Sequence, residues 1–260
     1  MNLALEGKII IVSGGARGIG EGITNLLAAE GAIPVIIGRS EENNIALVKA
    51  IQMQGYQADH VVAELTEPAA CENAINKIVA KFSKIDGLVN NAGENDSIGL
   101  ENGNYALFMK SLHKNLVHYY LLTHHALPYL KKSKGSIVNI SSKTAETGQG
   151  GTSAYAASNG GRNALTREWA VELLPYGIRV NAVVVAECYT PLYEKWIKTL
   201  PNPEEKLNSI KAKIPLGQTG CCNQQLTKSA AQPGWQGIEK RTAKHLQGKY
   251  RAAVSLRLAG

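Results

Sequence analysis

The chain has 260 residues, 44% of them hydrophobic, and its 28 basic and 21 acidic residues give a net charge of +7. This length suits one α/β domain, and no apolar run approaches the ~18 residues that a membrane-spanning helix needs. Seven basic residues and one acidic residue follow position 216, so residues 1–216 are nearly neutral and lack a basic stripe for nucleic acid. We expect no membrane or nucleic-acid partner, and the short apolar run at 9–12, which ends in glycines rather than a cleavage site, favours a cytoplasmic location.

Short apolar runs alternate with segments of helical periodicity along most of the chain. The predicted strands are residues 8–13, 33–37, 60–63, 87–89, 136–140 and 178–185. The predicted helices are residues 18–30, 41–54, 67–82, 105–130 and 153–174. This alternation predicts an α/β protein of the Rossmann type, with a doubly wound parallel sheet between two layers of helices.

The four cysteines do not have the spacing of a metal site or a disulfide framework. They are Cys71, Cys188, Cys221 and Cys222, without a Cys-x-x-Cys pair. We expect reduced, packed thiols and no bound metal.

A glycine cluster joins the first predicted strand to the first predicted helix. It reads Ser13-Gly14-Gly15-Ala16-Arg17-Gly18-Ile19-Gly20. Glycine at this place lets the backbone approach a pyrophosphate, and the free N–H groups at a helix start favour an anion. The cluster therefore predicts a dinucleotide site, the alternative being a glycine-rich turn without a ligand.

The spacing Gly-x-x-x-Gly-x-Gly resembles the short-chain dehydrogenase/reductase family, with Ser13 where the family usually has threonine. Asn90-Asn91-Ala92-Gly93 is similar to the family motif after the fourth strand, and Glu64-Leu65 stands where Asp-Val usually contacts adenine. The resemblance covers about residues 3–216. It implies that the cofactor contacts include Ser13, Gly14, Arg17, Gly18, Ile19, Gly20, Arg39, Glu64, Leu65, Asn91, Ala92, Gly93, Tyr155, Asn159 and Thr190.

The residue after the second strand bears on the choice of cofactor. An acid there would bind the ribose hydroxyls of NAD, but this chain has Gly38-Arg39-Ser40. Arg39 could pair with a 2′-phosphate, supported by Arg17. We favour NADP over NAD, the alternative being that both arginines are merely solvated.

The resemblance also supplies catalytic roles. It implies that Tyr155 is the general acid/base, Ser142 holds the substrate oxygen and Asn115 supports a water relay. A phenol at its reference pKa of ~10 is a poor base at neutral pH, and the family places a lysine four residues after the tyrosine. Here that position is Asn159, which can bind the nicotinamide ribose but carries no charge. A cation ~4 Å from the phenolate, at an effective dielectric of ~20, would stabilise it by ~4 kcal/mol, and Asn159 cannot supply this stabilisation. We do not expect Lys143 to substitute for that lysine, because it directly follows Ser142 and should leave the strand on the opposite side.

The segment after the sixth strand concerns the substrate. Glu187 is a carboxylate suited to a pair of adjacent hydroxyls, as in a sugar, and Tyr189 is a candidate to stack on a sugar ring, although both could simply belong to a loop. Residues 141–193 resemble sugar dehydrogenases of the family, particularly members like L-fucose dehydrogenase. The resemblance implies an oxidoreductase that transfers hydride between NAD(P) and a sugar or other small alcohol; the alternative is a nucleotide-binding pseudoenzyme or sensor.

Residues 217–260 do not resemble the family's ending. They show neither its last helix nor its last strand and are rich in Gln, Gly, Lys and Arg. We treat residues 1–216 as the NAD(P)-binding domain and 217–260 as an atypical basic tail, either a genuine extension or the product of a shifted reading frame. Without the family's ending, a homo-oligomer is doubtful.

Overall fold

The computed structural model describes residues 3–212 and 220–221. The chain divides at Glu187 into two compact units, which are treated separately below.

The first unit contains six strands and six α-helices in alternation. The strands are β1 (Ile9–Ser13), β2 (Ile33–Gly38), β3 (Asp59–Val62), β4 (Gly87–Asn90), β5 (Ser136–Ser142) and β6 (Arg179–Val185). The helices are α1 (Gly18–Ala29), α2 (Glu41–Met53), α3 (Pro68–Phe82), α4 (Tyr105–Leu112), α5 (His118–Ser133) and α6 (Ser153–Glu172). All pairings in the sheet are parallel, in the order β3-β2-β1-β4-β5-β6. This confirms the predicted Rossmann-type fold.

Both faces of the sheet are buried. Ile9 and Ile11 of β1 pack in a cluster with residues of α3 and α5, whereas Ile10 and Val12 face a cluster that includes residues of α1. This is why β1 is a continuous apolar run rather than an alternating one, as expected of a strand covered on two sides.

The predicted single helix at residues 105–130 is interrupted. Asn104 caps α4 by accepting from the Leu107 N–H, and the segment His113–Val117 is a π-helix before α5 begins. A π-helical turn inserts extra backbone into a helix and often lies at a functional site. Here it contains Asn115, one of the predicted catalytic residues.

The second unit contains two short strands and two helices in its described part. They are β7 (Cys188–Tyr189), α7 (Pro191–Lys198), α8 (Pro203–Ala212) and β8 (Gly220–Cys221), with β7 and β8 pairing in parallel. The sequence predicts neither helix and no strand in the tail, so β8 is a correction. A strand of two residues is too short to show the alternation by which a strand is predicted. The remainder of the predicted tail lies outside the described residues.

Two kinds of feature are absent from the part of the chain that the structure describes. Within it, no helix has both the length and the apolar character needed to cross a membrane. Nor do any three His, Cys, Asp or Glu side chains there form a group that could hold a metal ion.

Asp86 ties the start of β1 to the segment before β4. Its carboxylate, 9% exposed, accepts from the Ile9 N–H at 2.9 Å and lies 3.1 Å from Lys8 Nζ and 3.3 Å from Lys84 Nζ. Burial alone would raise the pKa of Asp86, but these hydrogen bonds outweigh it and hold the pKa below its ordinary value. The carboxylate therefore stabilises the fold above the unfolded-state pKa of about 4, and this contribution is lost as the pH falls through the lower, folded-state pKa.

We expect Asp86→Asn to lower the free energy of unfolding by about 1–3 kcal/mol at pH 7, because charged hydrogen bonds are lost, and by less as the pH falls below about 4. Urea unfolding of both proteins from pH 7 to pH 3 measures this. Asp59→Asn is the matched control. Among the described residues Asp59 pairs with the exposed Lys81 alone, so its replacement should change stability by less than about 1 kcal/mol. A difference for Asp86 that does not depend on pH would contradict the electrostatic explanation.

Candidate active site

The candidate dinucleotide site lies where β1 and β4 are neighbours in the sheet. Their following connections diverge, because β1 leads to β2 on one side and β4 leads to β5 on the other, which is the crevice where open α/β sheets bind ligands. Ser13 Oγ at the end of β1 accepts from the N–H groups of Asn91 (2.9 Å) and Ala92 (3.1 Å). Asn91 Nδ2 donates back to the Ser13 carbonyl at 2.9 Å. Ser13 therefore ties together the two predicted cofactor motifs.

The glycine loop has a backbone that suits an anion at the start of α1. Gly14 and Gly18 have φ values of +63° and +57°, which favour glycine. A Cβ on Gly20 would lie 2.1 Å from the Gly14 carbonyl oxygen and 2.6 Å from Asn91 Nδ2. No described side chain caps α1, so the first-turn N–H groups, Ile19 included, are open to an anion. These residues fit the pyrophosphate of a dinucleotide.

The two arginines predicted to select the cofactor, Arg17 in the glycine loop and Arg39 after β2, are both exposed. Arg17 Nη2 donates to Asn43 Oδ1 at 2.9 Å, which joins the glycine loop to α2. Arg39, with a side chain 69% exposed, has Nη2 3.9 Å from Glu94 Oε2. Glu94 also pairs with Lys114 at 2.7 Å. Glu94, which the sequence pattern did not single out, follows Gly93 directly. Its carboxylate lies near Arg39 and would compete with a 2′-phosphate for that positive charge.

Glu64 and Leu65 follow β3. Glu64 Oε1 accepts from the N–H and the hydroxyl of Thr66, at 3.1 and 3.0 Å, so this oxygen is engaged in a local turn. Leu65 is buried in the core beside Cys71. Burial, with a smaller contribution from Glu64, raises the pKa of the Cys71 thiol to about 11, which makes it a packed and unreactive cysteine.

Tyr155 and Ser142 lie on elements that pack together. Ser142 ends β5, and its Oγ accepts from the Thr144 N–H at 3.3 Å in the 3₁₀ turn that follows. Tyr155 is in the first turn of α6, which packs on β5 and on that turn. The side chain of Tyr155 is half-buried and close enough to Tyr119 for its charge to affect that residue.

Asn115 and Asn159 are both buried and are linked by one arginine. Arg162 Nε donates to the main-chain oxygen of Asn115 at 2.7 Å, and its Nη1 donates to Asn159 Oδ1 at 2.9 Å. Asn115 Oδ1 accepts from the Glu94 N–H at 2.9 Å, and Asn159 Nδ2 donates to the Tyr155 carbonyl at 2.8 Å. The structure therefore brings the two predicted asparagines into one network.

Sequence reasoning missed Arg162, although a signal was present. Position 162 falls on the buried face of α6, where a charged residue is uncommon and needs compensation. Gly93 packs directly on it: a Cβ at Gly93, whose φ is +154°, would lie 2.7 Å from Arg162 Nη2 and 2.7 Å from Asn115 Oδ1. The glycine that ends the Asn-Asn-Ala-Gly motif is thus required by the arginine.

Lys143 forms an ion pair with Glu187, within the first unit. The sequence predicts that Glu187 binds a pair of substrate hydroxyls and gives Lys143 no role. The pairing places a cation beside that carboxylate, directly after Ser142 in the chain.

Thr190 and Tyr189 belong to the second unit. Thr190 Oγ1 accepts from the Tyr193 N–H at 3.1 Å and so caps α7. The Tyr189 and Tyr193 rings lie 5.8 Å apart, and those of Tyr193 and Trp196 lie 5.2 Å apart, so the aromatic residues of this segment contact one another. Their roles toward cofactor and substrate stay predictions.

The chain is similar to known proteins over most of its length. A family model described as short chain dehydrogenase matches residues 8–201. The chain is similar to L-fucose dehydrogenase of Bos taurus, at 31% identity over 85% of this chain and 80% of that protein. It is also similar to the 3-oxoacyl-acyl-carrier-protein reductase FabG of Thermotoga maritima, at 36% identity over 84% of this chain and 87% of that protein. The crystal structure of the Cj0485 dehydrogenase has a TM-score of 0.80 at 42% identity and covers 86% of each chain.

Proposed function

The chain belongs to the short-chain dehydrogenase/reductase family, and on that premise we propose that it oxidises a hydroxyl group of a sugar or polyol, with NADP as the preferred cofactor. Like its relatives, the protein is an oxidoreductase that acts on CH–OH groups and depends on NAD(P). Those relatives are named as dehydrogenases and reductases, and nothing in them favours the pseudoenzyme alternative.

The ion pair between Lys143 and Glu187 carries the proposal of a sugar. The Lys143 ammonium directly follows Ser142, and the Glu187 carboxylate follows β6. Together they supply a donor and an acceptor for neighbouring hydroxyls, whereas an aliphatic chain could bond to neither. The similarity to L-fucose dehydrogenase supports the same class of substrate.

The residues divide the reaction between them. Ser142 holds the reacting oxygen, and the half-buried phenol of Tyr155 takes its proton during oxidation or returns it during reduction. Asn115 supports proton exchange with solvent. Asn159 is buried and bonded to Arg162 and to the Tyr155 carbonyl, so it holds the first turn of α6 rather than the ribose next to the nicotinamide. When bound, the cofactor supplies the acceptor for the hydride that leaves the carbon.

A panel of aldoses, polyols and 3-oxoacyl thioesters tests the proposed substrate class, with reduced nicotinamide followed by absorbance. We expect turnover with at least one sugar or polyol at a kcat/KM more than tenfold above that for any thioester. The opposite order would replace the sugar proposal with one closer to the 3-oxoacyl reductase relative. Failure of all substrates with both cofactors would contradict the proposed function.

The proposed preference for NADP depends on Arg39. We expect Arg39→Ala to raise the KM for NADP about tenfold, because one charged contact with the 2′-phosphate is lost, and to leave the KM for NAD within about twofold. Initial rates with each cofactor measure this. Arg179→Ala, an exposed arginine at the amino-terminal end of β6, is the control and should change neither value. Equal effects on both cofactors would show that Arg39 does not read the 2′-phosphate.

A further inference from the structure

Arg162 is a buried cation in the middle of α6. The residue is 3% exposed, and its hydrogen-bond partners in the described residues are all neutral oxygens. These are the main-chain oxygens of Asn115 and Ile140 and the side-chain oxygens of Asn159 and Asn115. A buried charge without a carboxylate partner costs free energy, and its position beside a candidate site indicates a functional role.

Arg162 lies on the same face of α6 as Tyr155. Residues 155, 159 and 162 are spaced i, i+4 and i+7, and side chains on a helix lean toward its N-terminus, so Arg162 extends toward Tyr155. Asn159 stands between them: its Oδ1 accepts from Arg162 Nη1 and its Nδ2 donates to the Tyr155 carbonyl. Asn159 therefore connects the guanidinium by hydrogen bonds to the main chain of the first turn of the helix.

The titratable groups that α5 contributes nearby are neutral at pH 7. Burial, helped by the charge of Arg162, lowers the pKa of His118 to about 3, and its Nε2 donates to the Lys114 carbonyl at 2.9 Å. Burial raises the pKa of Tyr119 to about 12, although Arg162 acts in the opposite direction. The guanidinium carbon is 4.3 Å from the centre of the Tyr119 ring.

Three charged groups on or next to the elements packed against α6 have partners of their own. Lys143 pairs with Glu187, and Lys114 of the π-helix pairs with Glu94. Glu146 accepts from Asn163 Nδ2 at 2.7 Å. Arg162 thus differs from these groups in being a buried charge held only by neutral oxygens.

We propose that Arg162 is a positioning residue that provides the fixed positive charge favouring the phenolate of Tyr155, with Asn159 linking the two. The proposal rests on the assignment of Tyr155 as the residue that exchanges a proton with substrate. Its physical basis is that a phenol needs a nearby cation to work as a base near neutral pH, and Asn159 carries no charge. A fixed cation near a phenol stabilises the phenolate and so makes the phenol a stronger base near neutral pH.

The test moves the charge rather than only removing it. Arg162→Met keeps the length of the side chain but not its charge, and Asn159→Lys combined with Arg162→Met places a cation one turn closer to Tyr155. Arg167→Met, an exposed arginine of the same helix, is the control. Each protein is characterised by thermal melting, by kcat and KM from pH 6 to 10, and by tyrosinate absorbance with NADP bound, measured against the same protein carrying Tyr155→Phe.

For Arg162→Met we expect the acidic limb of the pH–rate profile and the Tyr155 titration to move upward by about one unit. The kcat at pH 7 should fall about tenfold, with the KM for cofactor changed less than threefold. The double variant should return both curves to within about half a unit of wild type, and Arg167→Met should leave them unchanged. A folded Arg162→Met protein with wild-type curves would overturn the proposal, as would a folded double variant that keeps the shifted curves.

Arg162→Lys keeps the proposal testable if Arg162→Met does not fold. The lysine retains the charge while losing most of the hydrogen bonds, so both curves should stay within about half a unit of wild type even if the melting temperature falls; a shift of one unit would overturn the proposal. The tyrosinate titration needs no substrate. It therefore tests the role of Arg162 even if no sugar or polyol is turned over. If a sugar is turned over but the titration is unshifted, the role of Arg162 is rejected and the proposed function stands.

Discussion

Tyr155→Phe is expected to lower kcat by about 10²–10⁴-fold while the dissociation constant for NADP stays within about threefold. The phenol is the group that exchanges the substrate proton, and general acid–base catalysis contributes a factor of this size. The ring itself remains, so packing at the start of α6 changes little. Steady-state rates with the best substrate of the panel, together with cofactor binding followed by fluorescence, measure the two quantities.

Tyr119→Phe is the informative control for that experiment. Tyr119 is a buried phenol whose hydroxyl donates to the Ile140 carbonyl at 3.0 Å, and its pKa of about 12 keeps it neutral. Its loss should cost about 1 kcal/mol of stability through the missing hydrogen bond but change kcat less than about threefold. A larger loss of kcat in Tyr119→Phe than in Tyr155→Phe would show that Tyr155 is not the residue that transfers the proton.

The sheet and the glycine loop were predictable because each depends on local patterns. β1 is an uninterrupted apolar run, and the glycines that follow have the backbone angles and close contacts that glycine permits. The role of Ser13 in joining two loops was not predictable, because it bonds to residues 78 and 79 positions away. Contacts at such separation depend on the folded topology.

The asparagine at position 159 shows the limit of comparing single positions. From the sequence, Asn159 indicates a missing charge, because it stands where the similar family has a lysine. In the fold, Arg162 donates to it, and the arginine also bonds to β5 at Ile140 and to the π-helix at Asn115. Whether a charge is absent therefore depends on what the fold brings into the site.

Asn159 and Arg162 also change what restoring a lysine would do. Asn159→Lys alone would place an ammonium beside the buried guanidinium, where two like charges repel and neither is well solvated. The single substitution therefore replaces an acceptor of the arginine with a second cation. This is why the charge-moving variant combines it with the loss of Arg162.

Gly20→Ala is expected to weaken NADP binding at least tenfold and to lower the free energy of unfolding by about 1–3 kcal/mol. The new Cβ would lie 2.1 Å from the Gly14 carbonyl oxygen, so the glycine loop must move away from α1. The effect is opposite to the gain of about 0.5–1 kcal/mol that alanine normally gives over glycine inside a helix. Urea unfolding and fluorescence titration with NADP measure both quantities.

Gly160→Ala is the matched control, because Gly160 is also inside a helix but a Cβ there would meet nothing within 4 Å. It should gain about 0.5–1 kcal/mol of stability and bind NADP as wild type does. If Gly20→Ala behaved in the same way as Gly160→Ala, the close approach of α1 to the glycine loop would not be needed for the cofactor. The changes in the free energy of unfolding expected for these two helical glycines have opposite signs. They therefore distinguish the steric constraint at the dinucleotide site from the ordinary preference of a helix for alanine.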